Sequence, residues 1–571
     1  MSLLSLAVVS GLAMSAPAEA AGNQKSAAIA RANALIAGPA AASVRRAGAD
    51  GFVARDVVVD ADGTEHVRFE RTYQGLPVIG GDFVLQSRNG KVGKVSQTLK
   101  TSARPGLTGR IGADQAIVEA GARFGSTFIG APTSRKVVYA LGASPVLAHE
   151  VVFNGVKADQ TPTVMHYIVD AANGKVLNQW DEIHTARPGP GGSSCAGTAA
   201  AATGASLMVG SVALTTTKCS ATSYEMRDPT RGGGYVTNMA MKTSGNGTVF
   251  TDSDNAWGNG LTSNSQTVAV DAQFGIAKTW DYFLTVHGRN GIAGDGRGSF
   301  SRVHYGRNYA NAFWSDSCFC MTFGDGDNGA SIYPLVSIDV AGHEMSHGVT
   351  SRTANLIYSG ESGSLNEATS DIFGTMVEYY ANTAADPADY VMGEELYPNN
   401  ANMSNAIRYM FKPTLDNYSQ HCYDPATTPT FEVHGGSGIA NSFFYLLAEG
   451  AVVPAGFGAG SWANLSASSL VCNGNTALTG IGRDAAGKIW YRALTVYMTS
   501  GTNYAGARSA TISAGLPTDL YGGTSAQTKA VRRPGARART TGDHGEDDER
   551  PPSACAGRDH TSAAEMARPE G

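Results

Sequence analysis

Along the first third of the chain, short apolar runs break at turn dipeptides rather than continuing. Val84-Leu85-Gln86-Ser87-Arg88-Asn89-Gly90-Lys91-Val92 divides at Asn89-Gly90, the pair that most often closes a tight hairpin, and predicts two antiparallel strands. Tyr167 to Leu177 has the same form around Asn173-Gly174. Between them Ala113 to Phe124 has helical spacing, so residues 22–185 are expected to form an α+β unit. From about 196 the chain becomes rich in Thr, Val, Gly and Asn, which predicts twisted antiparallel strands. Two helical stretches follow, Ile338 to His347 and a second that begins near Ser364 and carries Leu365 to Gly374.

Punctuation divides the chain. Ala186-Arg187-Pro188-Gly189-Pro190-Gly191-Gly192-Ser193-Ser194 reads as an extended linker over 186–195, an accessible place for proteolytic maturation. Residues 1–21 read as a secretory leader: Leu3 to Met14 is apolar, and Ala18-Glu19-Ala20 suits a small-residue cleavage site. The expected order is leader 1–21, α+β unit 22–185, linker 186–195, a β-rich lobe 196–350, a helical lobe 351–523 and a disordered tail 524–571. Thr524 to Val531 starts like a helix and then breaks at Arg532-Arg533-Pro534-Gly535, as a shift of reading frame near 532 would produce.

The chain has 571 residues, 42% hydrophobic and 16% charged, enough to bury more than one core. A net charge of −6 argues against a nucleic-acid partner, and no apolar run is long enough to span a membrane. Export permits disulfides. Of 7 Cys, the first six, Cys195, Cys219, Cys318, Cys320, Cys422 and Cys472, admit about 15 pairings, and Cys555 in the polar tail is the odd one.

The candidate chemistry lies in Asp339-Val340-Ala341-Gly342-His343-Glu344-Met345-Ser346-His347, which contains H-E-x-x-H. Residues four apart share a helical face, so His343 and His347 can reach one Zn²⁺ at about 2.0–2.1 Å. Glu344 beside them can act as a general base. A third ligand is needed, and Gly363-Ser364-Leu365-Asn366-Glu367-Ala368-Thr369-Ser370-Asp371 offers Glu367, with Asp371 one turn further on to hold the far nitrogen of a ligating His. Ser364-x-x-Glu367 is alternatively a capping box at a helix start. A zinc aminopeptidase would need further acidic groups for a free amine, and no motif supplies them. A binding protein with a dead site would not need Glu344.

The run from His343 to Gly374 resembles the thermolysin-like zinc metallopeptidases, and the resemblance extends further. His66-Val67-Arg68-Phe69-Glu70-Arg71-Thr72-Tyr73-Gln74-Gly75-Leu76-Pro77-Val78 is similar to that family's propeptide motif. The resemblance implies a secreted precursor, a two-lobed catalytic domain with zinc in the cleft, and a pro-region acting as folding aid and intramolecular inhibitor. It implies endopeptidase action on proteins before bulky apolar residues, by a monomer. Asn311 and Ala312 of Asn311-Ala312-Phe313-Trp314 would bind substrate as an edge strand. Val340 and Ile407 would line the apolar pocket, and Arg408 would grip a substrate carbonyl. Tyr358 and His434 would donate to the oxyanion, while Asn366 and Asp371 would fix the imidazoles. The family's Asp five residues before the His is replaced by Pro429, leaving Glu432 to orient His434. Asp339, Glu378, Asp389 and Glu394 match the family's calcium carboxylates. Val391 stands where a further Glu ligand is usual, which implies one Ca²⁺ rather than two.

Overall fold

The computed structural model describes residues 16–182 and 195–515. Most of the expected leader, nearly all of the expected linker, the tail, Cys555 and the expected break near 532 therefore lie outside the described residues. No helix among those described is long and apolar enough to cross a membrane.

Between Asp50 and Asp181 the chain builds a 10-stranded sheet. The Asn89-Gly90 hairpin forms as expected: Phe83–Arg88 pairs antiparallel with Lys91–Gln97, and both turn residues have positive φ (50° and 69°). Strands Pro162–Asp170 and Val176–Asp181 form the second hairpin. The two halves of the sheet join where Leu76–Ile79 runs parallel to Thr133–Tyr139. Helix Ala16–Ala37 buries Ala28, Ala32, Leu35 and Ile36 against Val67, Phe69 and Phe83 of the first half. Helix Ala113–Gly121, three residues shorter than its sequence pattern, buries Ala116 and Ala120 against Phe153 and Tyr167 of the second.

Beyond Cys195 the first lobe departs from the antiparallel expectation. Gly234–Asn238, Phe300–Tyr305 and Cys320–Gly324 run parallel to one another. Parallel neighbours need a crossover, and helix Ser265–His287 lies between the first two of these strands in the chain. That helix is buried on most of its faces, so it has no polar stripe to reveal its period.

Helix Ile338–Ser351 and helix Gly360–Ala381 form the heart of the molecule, within one apolar core that spans the first lobe and the helices beyond it. They meet at two glycines. A Cβ on Gly342 would lie 3.0 Å from Cα of Gly374, and one on Gly374 would lie 2.4 Å from the Asp339 carbonyl oxygen. Only hydrogen fits there, and the close crossing brings Glu367 beside the histidines. The second helix starts at Gly360, so Ser364 and Glu367 are interior and buried rather than capping residues. Helices Gly438–Ala448, Arg483–Arg492 and Tyr504–Ala514 pack around this pair.

Three disulfides select one of the possible pairings: Cys195–Cys219, Cys318–Cys320 and Cys422–Cys472.

The N-terminal sheet grips the last helices through residues of the quoted 66–78 segment. Arg68 donates to the carbonyls of Met498 (2.8 Å) and Thr495 (3.1 Å). Arg492 donates to Asp60 (2.6 Å), which His66 also contacts (2.8 Å). Asp82 accepts from the Ser500 amide at 2.9 Å. Arg68 is fully buried, so Arg68→Ala would strand both carbonyls. With charged hydrogen bonds at about 1.5–3 kcal/mol each, the variant is expected to lose roughly 3 kcal/mol, read as a lower midpoint in denaturant unfolding of the precursor.

Candidate active site

The helix crossing gathers three donor atoms. His343 Nε2 and His347 Nε2 are 3.0 Å apart, and the Glu367 oxygens lie 3.6 Å from the first and 3.4 Å from the second. The edge of a tetrahedron with 2.0–2.1 Å bonds is about 3.3–3.4 Å, so the three suit one Zn²⁺. Glu367 Oε2 is buried and has no hydrogen-bond partner among the described residues, which leaves it available to a cation. Burial alone would raise the Glu367 pKa, but His434, His347 and His343 outweigh it and hold this carboxyl well below its ordinary value.

The far nitrogens are held as expected. His343 Nδ1 contacts Asp371 at 2.9 Å, and His347 Nδ1 contacts Asn366 Oδ1 at 2.9 Å. Asp371 is fully buried, and it also accepts from Arg408 Nε (2.7 Å), Arg408 Nη2 (2.5 Å) and Asn441 Nδ2 (2.8 Å). Burial opposes ionisation, but Arg408 and His343 keep this carboxylate far below its usual range. Two of Arg408's nitrogens are therefore spent on Asp371, and the residue is a buried structural partner as well as a cleft-lining one. The sequence reading missed Asn441, although it lies seven residues after His434 on the next helix.

Glu344 is only 5% exposed and faces the same cleft. Burial, the largest effect, raises its pKa against the pull of His343 and His347. Tyr358 donates its hydroxyl to Glu367 and lies 3.3 Å from His434 Nε2. Glu432 takes the place expected of it: Oε1 contacts His434 Nδ1 at 2.8 Å, and Oε2 accepts from the His434 amide at 2.9 Å and from Tyr418 at 2.8 Å. One carboxylate thus orients the imidazole and caps the short helix Val433–Gly436.

Asn311, Ala312, Val340, Ile407 and Arg408 all line this cleft, of about 460 Å³, together with Leu335 and Met392. Strand Ala312–Ser315 is the edge of its sheet. The far wall comes from the N-terminal sheet, through Arg135, Glu150, His166 and Trp180 among others. His166 lies between Glu150 (2.9 Å) and Glu182 (2.8 Å) and stacks on Trp180. Burial lowers its pKa, but the two carboxylates overcome this and raise it to about 9. A raised pKa gives stability that is complete below the unfolded value of about 6.5 and is lost as pH rises through about 9. The precursor is therefore expected to melt at lower temperature between pH 7 and 9, with a flatter profile in His166→Asn, measured by calorimetry across that range.

A second cluster lies beneath the histidine helix. Oxygens of Glu378, Asp386, Glu394 and Glu395 lie within 4.8 Å of one another. Oxygens on each of these four are buried without hydrogen-bond partners among the described residues. Burial first, and mutual repulsion second, pushes Glu395 up to about 9. Asp389 is likewise raised to about 7, by burial and by its acidic neighbours. A hard cation that takes six to eight oxygens fits such a group. The gathered set differs from the expected one. Glu378 and Glu394 are in it, but Asp339 spends its oxygens on Ser337, the Val340 amide and the Gly393 amide, and Asp389 accepts from the Val391 amide. Asp339 and Asp389 stay close enough for their charges to raise the pKa of Glu378 and Glu394, and Asp386 and Glu395 join the group.

The family models match in the same places. Residues 201–351 match the thermolysin metallopeptidase catalytic domain, and 354–536 its α-helical domain. Residues 50–99 match the fungalysin/thermolysin propeptide motif. A thermolysin of Alicyclobacillus acidocaldarius subsp. acidocaldarius is 36% identical over 485 residues, 82% of this chain and 82% of that protein. The chain belongs to the thermolysin family of metallopeptidases. A transglutaminase-activating metalloprotease of Streptomyces mobaraensis is 46% identical over 481 residues, 82% of this chain but 59% of that longer protein. A bacillolysin of Bacillus cereus is 34% identical over 514 residues, 85% of this chain and 84% of its own length. Members of the thermolysin family use a catalytic zinc and structural calcium, and the two clusters described above are the candidates for each.

Proposed function

We propose that this chain is the precursor of a secreted zinc endopeptidase, held inactive by its own N-terminal sheet. The observation that carries this is the meeting of His343, His347 and Glu367 in one cleft with the buried carboxyl of Glu344. His343, His347 and Glu367 would hold the zinc, and Asp371 and Asn366 keep the two rings turned towards it. When bound, Zn²⁺ supplies Lewis acidity, polarising a carbonyl and lowering the pKa of water towards about 7.

Glu344 takes the proton from the attacking water and later gives it to the leaving amine. Tyr358 and His434, side by side on the opposite rim, donate to the substrate carbonyl oxygen as it gains charge; one such donor is worth about 10²–10³ in rate. The edge strand at Asn311 and Ala312 pairs with the substrate backbone. Val340, Leu335, Met392 and Ile407 make an apolar wall that favours a bulky apolar residue after the scissile bond. The acidic group at Glu378, Asp386, Glu394 and Glu395 takes structural Ca²⁺.

The test is expression of the full precursor, mass spectrometry of the processed N-terminus, and an assay on casein and on a quenched peptide with blocked ends. Chelator-sensitive cleavage of the blocked peptide before Leu or Phe supports the proposal. Cleavage only from a free terminus would replace it with an exopeptidase.

A further inference from the structure

The Cys318–Cys320 disulfide encloses a single residue, so it closes almost no loop and gains little of the entropy that long-loop disulfides remove from the unfolded chain. Its effect must be local. The two cysteines sit at the tip of the hairpin formed by Ala312–Ser315 and Cys320–Gly324, where Cys320 pairs with Ser315. The enclosed residue, Phe319, has φ of 55°, a left-handed conformation that a bulky side chain rarely adopts. Its ring meets Trp314 edge-on at 5.3 Å, with the Arg297 guanidinium 3.8 Å and the Arg352 guanidinium 5.1 Å from its centre.

The same turn is tied to the histidine helix. Asp316 Oδ1 accepts from the Trp314 indole at 2.8 Å, from Ser351 Oγ at 3.0 Å and from Arg352. Ser351 and Arg352 are the last residue and the C-cap of the helix that carries His343 and His347. One carboxylate therefore joins the strand expected to carry substrate to the helix expected to carry the metal.

We propose that the hairpin tip, through Asp316 and the Cys318–Cys320 ring, positions the substrate-binding edge strand against the catalytic helix, and so sets the affinity for long peptides. The inference rests on the endopeptidase reading above. These are positioning residues: they contact the strand and the end of the histidine helix, and none is among the three that gather donor atoms. A peptide that pairs along Asn311 to Trp314 needs the strand in register, whereas a blocked dipeptide flanking only the cleaved bond does not.

The test compares the processed wild-type enzyme with Cys318→Ser/Cys320→Ser, Asp316→Asn and, as a milder change at the Phe319 ring, Arg297→Gln. The expected result is a KM for a blocked octapeptide raised about tenfold, with kcat and the kinetics of a blocked dipeptide within twofold. Amide exchange should also quicken over 312–315, a readout independent of activity. An equal loss on both substrates, or no change on either with exchange unaltered, overturns the proposal. Should the cysteine and Asp316 variants fail to fold, the Arg297→Gln comparison decides alone by the same two criteria. If wild type cleaves neither substrate, the endopeptidase reading itself has failed, and the exchange measurement still judges the hairpin.

Discussion

Glu344→Gln is expected to keep zinc and lose peptide hydrolysis by about 10²–10⁴-fold, the usual worth of a general acid–base group. The side chain is not among the three that gather donor atoms for the metal, so removing its charge takes away no ligand. It is almost fully buried and lies against the cleft, within reach of the proposed metal-bound water. Glutamine has the same shape, so Asn366, Asp371 and the imidazoles should not move. His347→Ala should behave differently and lose metal and turnover together. Metal analysis beside a casein assay separates the two variants, and a Glu344→Gln enzyme that cleaved casein at the normal rate would show that another group is the base.

Removing calcium should have the next largest effect, on stability rather than chemistry. Four buried carboxylates face one another in the cluster at Glu378, and the nearby charges of Asp339 and Asp389 add to their repulsion. Calcium at 1,000 times its dissociation constant would contribute about 4 kcal/mol by mass action. Without it, the groups can relieve their repulsion only by holding protons. The folded pKa of Glu395 is raised to about 9, and that of the neighbouring Asp389 to about 7. That stability is present at low pH and is lost as pH rises through those values. Calcium-stripped, zinc-replenished protein should therefore melt near its normal temperature at pH 5 and many degrees lower at pH 8.5, while the calcium-loaded form shows only the smaller fall expected of His166. Calorimetry in a calcium-selective chelator checks this. Equal melting at both pH values without calcium would mean that the cluster holds its protons or needs no cation. Because Asp339 and Gly393 tie the cluster to the start of the histidine helix, calcium loss should also speed autolysis.

Short-range chemistry was legible in the sequence. The i, i+4 spacing put His343 and His347 on one helical face, Asn89-Gly90 fixed its hairpin, and Asp371 lay one turn from Glu367, because helix and turn geometry depend only on nearby residues. Glu432 could be chosen as the partner of His434 because it lies two residues away. What depended on distant segments could not be read: the pairings Cys195–Cys219 and Cys422–Cys472, the crossover by a helix buried on most faces, and the link from Asp316 to Ser351. That Asp386 and Glu395 join Glu378 and Glu394 in one buried acidic group was likewise hidden, because folding alone places them together. The choice of Arg68 and Asp60 to clasp the last helices was equally hidden, for those partners are more than four hundred residues apart. Sequence determined which groups could do the chemistry; the close crossing at Gly342 and Gly374 decided that they meet, because only two backbones without side chains can come near enough to share one ion.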